Sequence, residues 1–137
     1  MFKAVVTDLD GTLLNNDKEV SEFSKEVINK IRDKGIKFFI ATGRSYPDTK
    51  RIMETIGIKV PLITSNGARI NDENGETIYA NDLEKKYSKK ILDMDYKKYG
   101  EEIFLNLYSD NKWFITEEMT RDPFKDLKHF LPNKITV

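Results

Sequence analysis

The stretch from Phe2 to Leu13 constrains this chain more than any other. A short apolar run opens it, rich in β-branched residues, the pattern of a buried strand. Asp8 and Asp10 follow, two residues apart. In an extended chain, side chains at i and i+2 point the same way, so an extended path predicts two carboxylates converging just past the strand's carboxyl end. Gly11, with no Cβ to clash, lets the backbone turn there, and Thr12 adds a hydroxyl. Open α/β sheets bind ligands at the carboxyl ends of their strands, so the position suits chemistry.

Two carboxylates that close repel each other, and a divalent cation relieves the repulsion. Hard oxygen donors with few others nearby suit Mg²⁺. A carboxylate can also serve as a covalent nucleophile in phosphoryl transfer. A second carboxylate can then act as general acid and base, a role worth ~10²–10⁴-fold.

The following residues supply a sheet for that strand. Residues 14–20 are polar and turn-like, and Ser21 fits a helix N-cap. Phe23, Val27, Ile28 and Ile31 recur at helical spacing over residues 22–34, and Gly35 follows as a stop. Residues 36–41 predict a second buried strand, ending on Thr42-Gly43-Arg44. Ser45 or Tyr46 then opens a second helix, with Pro47 in its first turn, Ile52, Met53 and Ile56 on its apolar face, and Gly57 at its end. Residues 60–65 predict a third strand, limited at its start by Pro61. Asn66-Gly67-Ala68 comes next, and residues 68–80 read as a hairpin turning at Asn74-Gly75. This order predicts an α/β fold, a Rossmann-like parallel sheet with helices on both faces.

From Asp82 the texture changes, and a domain boundary is expected there, dividing residues 1–82 from 83–137. The second part predicts a charged helix over 83–99 with Tyr87, Ile91, Leu92 and Met94 or Tyr96 inward, strands over 102–108 and 112–117, a short helix over 123–131 and a strand from 134. Phe104, Tyr108, Trp113 and Phe114 are expected to pack as core, and His129 to lie at or near the surface. The 23 basic and 23 acidic residues cancel and form no basic face, which argues against nucleic acid. The absence of cysteine excludes disulfides and thiolate chemistry. No apolar stretch approaches the ~20 residues of a membrane span, and no signal-peptide pattern opens the chain, so a cytoplasmic protein is expected.

Asp8-Leu9-Asp10-Gly11-Thr12 resembles the first motif of the haloacid dehalogenase superfamily of phosphatases. Thr42, at the end of the second strand, is similar to the second motif, whose hydroxyl holds the transferring phosphoryl group. Ser65-Asn66-Gly67-Ala68 resembles a signature of the Cof-type branch. The resemblance implies that residues 1–82 are the first part of the catalytic core, an incomplete sheet, and that 83–137 begin an α+β cap. It implies Asp8 as nucleophile, Asp10 as acid and base, and Mg²⁺ against the Asp8 carboxylate and the Asp10 main-chain carbonyl. A small phosphorylated metabolite, such as a sugar phosphate, is the implied substrate. The amides of Gly43 and Arg44, ahead of a helix, are candidate anion donors. Arg44 fits either a bidentate phosphate contact or a surface salt bridge, and Asn66 either substrate contact or a tight turn. The family's third-motif Lys and its later acidic metal ligands map onto no residue of this chain. The strand bearing Asp8 is then expected at an exposed edge, where a second copy could pair. Alternatives are a non-catalytic remnant that binds a partner or phosphate, a phosphomutase of the same superfamily, and a phosphate-accepting regulatory domain. The order of the motif and the cap-like second part argue against the last.

Overall fold

Alternation along the strands decides which face of the sheet is buried. The computed structural model describes residues 2–100, 103, 105–109, 112–115 and 133–134. The chain divides into two compact units, Met1–Asp82 and Leu83–Val137. In the first, β1 (Ala4–Thr7), β2 (Lys37–Ala41), β3 (Leu62–Thr64), β4 (Arg69–Asn71) and β5 (Thr77–Ala80) form one sheet in that order. The first three strands run parallel, and β4 and β5 return antiparallel. Phe38 and Ile40 of β2, Leu62 and Thr64 of β3 are buried, while Phe39, Ala41 and Ile63 between them are only half-buried.

The helices form for the reasons the sequence gives. Ser21 Oγ accepts from the Ser24 N–H at 3.1 Å and starts α1 (Glu22–Asp33). Pro47 sits in the first turn of α2 (Tyr46–Ile56), and Gly57 closes it at φ 73°. Ile28 of α1 and Met53 of α2 join Leu9, Leu14, Val20, Phe38, Ile40, Ile58, Val60 and Leu62 in one core. Both helices therefore bury against the same face, where the sequence predicts both faces covered. The strands are added in one direction across the sheet, and successive right-handed crossovers then place their helices on one side. Phe23 departs from its expected place as well. It lies in the first turn of α1, outside the core, 74% exposed.

Pro61 has no N–H to donate, and β3 begins only after it; its carbonyl still accepts from Ile40 N–H at 3.3 Å. The hairpin joins β4 to β5 through a longer loop than Asn74-Gly75 alone. Asp72 Oδ1 accepts from the N–H groups of Asn74 and Glu76 and holds that loop. Among the described residues the sheet order leaves β1 with a partner on one side only, and Val6 on it is 56% exposed.

In the second unit the predicted long helix is broken into α3 (Lys85–Leu92) and a short 3₁₀ turn over Tyr96–Tyr99. Asp93 and Asp95, poor helix formers, flank the break. β6 (Asn106–Ser109) pairs antiparallel with β7 (Lys112–Ile115), and β8 (Asn133–Lys134) runs parallel to β7. Trp113 is buried and stacks on the cross-strand Tyr108, which is half open to solvent. Phe104, His129 and the helix expected over 123–131 lie outside the described residues. Among the described residues no helix is long and apolar enough to cross a membrane.

Candidate active site

Strand β1 ends at Thr7, and Asp8 leaves it in an extended conformation. The extended path does not continue to Asp10 as the sequence suggests. Residues Leu9–Leu13 form a wide turn, closed by the Leu14 N–H donating to the Leu9 carbonyl at 2.9 Å. Two things force it. The Leu9 side chain is fully buried in the core, and Gly11 takes φ 70°, open to glycine at little cost. Asp8 Oδ1 accepts from its neighbour's N–H, that of Leu9, at 2.7 Å, and the residue is exposed.

The parallel register aligns Thr7 with Ile40, so Asp8 and the Thr42 turn come off neighbouring strand ends. Thr42 is buried, and its Oγ1 accepts from the Arg44 N–H at 3.2 Å. That bond leaves the threonine O–H to donate. The Arg44 guanidinium reaches back across the site and grips Asp10 with two parallel bonds, Nε to Oδ2 at 2.6 Å and Nη2 to Oδ1 at 2.7 Å. Arg44 thus forms an ion pair with Asp10. Lys18 Nζ stands 3.7 Å from the same carboxylate. The sequence did not single out Lys18. Its signal is the turn at Asn15, whose Oδ1 accepts from the N–H groups of Asp17 and Glu19 and bends the chain back toward Asp10.

Asn66 lies in the turn that follows β3, with its side chain exposed. Its N–H donates to the Thr42 carbonyl at 3.2 Å, and the Ser65 N–H donates to the Arg44 carbonyl at 2.8 Å. Ser65 and Asn66 both take positive φ, 51° and 55°, a conformation asparagine tolerates better than most residues. A Cβ on Gly43 would lie 3.0 Å from Asn66 Oδ1. A side chain at position 43 would thus press on the exposed Asn66 amide, which must give by a few tenths of an ångström. Gly43→Ala is therefore expected to couple to Asn66, and urea titration of Gly43→Ala, Asn66→Gly and the double variant measures the coupling.

The Arg44 hydrogen bonds hold the Asp10 carboxyl below its ordinary value of 3.8, with Lys18 adding to the effect, and Asp10 in turn raises Arg44. Asp10 is therefore ionised at neutral pH. The stabilisation from a depressed carboxylate is present above the unfolded value and is lost as pH falls through the folded one. NMR titration of the Asp10 carboxyl should give a midpoint below 3.8, and Arg44→Gln should move it upward. An unchanged midpoint in that variant would show that the pairing is not what sets it.

Asp8 and Asp10 offer the hard oxygen donors that Mg²⁺ takes. Among the described residues no three His, Cys, Asp or Glu side chains gather as a metal cage. The donor type fits the metal, while the protein supplies here only part of a coordination shell.

Residues 5–137 match the haloacid dehalogenase-like hydrolase family. A candidate phosphatase from Buchnera aphidicola subsp. Baizongia pistaciae is 42% identical over 116 residues, covering 85% of this chain and 43% of that protein. An HMP-PP phosphatase from Yersinia pestis is 31% identical over 114 residues, 83% of this chain and 41% of its own. The solved structure of a haloacid dehalogenase-like hydrolase from B. subtilis aligns with a TM-score of 0.75 at 29% identity, over 86% of this chain and 40% of that one. The chain spans less than half the length of these relatives. With the match running through both units, from within the strand before Asp8 to Val137, this chain belongs to the haloacid dehalogenase-like hydrolase family.

Proposed function

We propose that this sequence carries the nucleophile end of a Mg²⁺-dependent phosphate monoesterase. The observation that carries the reading is the parallel register of β1 and β2, which sets Asp8 beside the Thr42 turn. An Asp8 oxygen attacks phosphorus, forming an aspartyl phosphate as the ester oxygen leaves. Asp10 protonates that oxygen, then takes a proton from the water that hydrolyses the acyl phosphate and frees Asp8. The Thr42 O–H donates to a phosphoryl oxygen. The Arg44 pair favours the ionised Asp10, which suits the second step; proton donation in the first needs that grip to loosen. Mg²⁺, held by the Asp8 carboxylate and the Asp10 main-chain carbonyl, would offset the negative charge gathered there.

A small phosphorylated metabolite is the proposed substrate. The relatives named as phosphatases support the reaction class. The test is phosphate release from an aryl phosphate with Mg²⁺ and again after chelation. Release that stops with the chelator supports the proposal. Release that continues undiminished overturns the metal dependence, and no release in either condition overturns hydrolysis by these residues.

A further inference from the structure

The sheet has a recess at the end opposite the carboxylates. A cleft of about 190 Å³ opens where α1 ends and where β2 and β3 begin. Lys37 at its mouth starts β2, and Thr42 follows that strand's far end. At ~3.3 Å per residue the two are separated by roughly 16 Å of strand. The cleft is thus remote from Asp8 and from the Thr42 turn.

Its lining divides by chemistry. Phe38, Val60 and Pro61 make an apolar floor, of which Phe38 and Val60 are buried. Arg32, Lys37 and Lys59 bring three cations to the rim, against the single carboxylate of Glu73. The C-terminal ends of α1 and α2 also lie here, and each contributes about half a negative charge. The balance remains positive by about one charge, in a chain whose basic and acidic residues cancel at 23 each. A cavity of about 150 Å³ holds a benzene ring, so this volume admits a body of that size, and it falls below the ~300–1,000 Å³ of drug-sized sites.

We propose that the cleft binds a small amphiphilic anion: one anionic group on an apolar body no larger than an aromatic ring. The rim cations meet the charge, and the Phe38–Pro61 floor takes the body. The cations are exposed and screened, so affinity in the millimolar range is expected, strongest at low salt.

The test is two-dimensional NMR of the labelled chain, titrated with benzoate and separately with inorganic phosphate. Benzoate should give saturating shifts at the amides of Gly35, Lys37, Phe38 and Lys59. Phosphate, which has the charge without the body, should bind there at least fivefold more weakly. Lys37→Gln and Lys59→Gln should each weaken benzoate binding about two- to fivefold. Glu73→Gln should tighten it by a similar factor, a gain that a misfolded variant could not show. Shifts that never saturate, shifts confined to the Asp8 and Thr42 turns, or affinities indifferent to all three substitutions would overturn the proposal. Equal binding of phosphate and benzoate would overturn the role of the apolar floor.

Discussion

Asp8→Asn is expected to lower the proposed Mg²⁺-dependent phosphate release from an aryl phosphate by about 10³-fold or more, to the level of buffer. The size follows from the proposed role. An amide has neither the charge nor the basicity of the carboxylate, so the covalent path closes instead of slowing, and loss of a nucleophile removes most of the acceleration its partners contribute to. The substitution also separates chemistry from folding. Asp8 is exposed, and its structural bond is the one Oδ1 accepts from Leu9 N–H, which an asparagine oxygen can accept equally well. Stability should therefore stay within about 0.5 kcal/mol of the native chain. Asp10→Asn gives the contrast. Its loss should be smaller on an aryl phosphate, whose leaving oxygen needs little protonation, than on an alkyl phosphate, whose leaving oxygen depends on it. Equal rates for Asp8→Asn and the native chain would place the nucleophile elsewhere.

Much of this arrangement was legible because local rules agree with the global fold. Val5 and Val6 announce a strand, Ser21 and Gly57 bracket the helices, and Thr42 lies one residue past a strand whose alternation is plain. These depend on neighbours in sequence. The Arg44 grip on Asp10 joins residues 34 positions apart, and no local pattern says which of several anions an arginine will find. Lys18 is hidden for a related reason: turn chemistry at Asn15 predicts that the chain bends but not what the bend brings near. The helix expected over 83–99 shows the opposite failure, where apolar spacing suggested one helix and the two aspartates at 93 and 95 interrupted it. Asn66 was ambiguous in the sequence since a turn and a ligand contact both favour asparagine. Its φ of 55° suits asparagine in the turn, and its exposed side chain fits the second reading as well.

The turn between the carboxylates depends on Leu9, and Leu9→Ala is the substitution expected to harm the fold most. The side chain has no solvent exposure and sits in the core with Phe38, Ile40, Ile28 and Met53. Truncating a buried leucine removes its transfer free energy and leaves a cavity, together about 2.7–5 kcal/mol. A domain of this size is stable by only ~5–15 kcal/mol, so from about a fifth to all of that margin is at risk. Thermal unfolding followed by circular dichroism should show a midpoint lower by on the order of 10 °C. Leu9→Met, which keeps the volume, should lose less than about 1.5 kcal/mol, and Val6→Ala on the exposed side of β1 less still. The consequence reaches the site because Leu9 lies between Asp8 and Asp10. Its burial anchors the wide turn, and the wide turn sets where both carboxylates leave the backbone. Leu9→Ala should therefore shift the NMR signals of Asp8, Asp10 and Arg44 while the chain is still folded at low temperature. If Leu9→Ala unfolds no earlier than Val6→Ala, the turn is held by Gly11 and the Leu14 bond alone, and the core does not position the candidate active site.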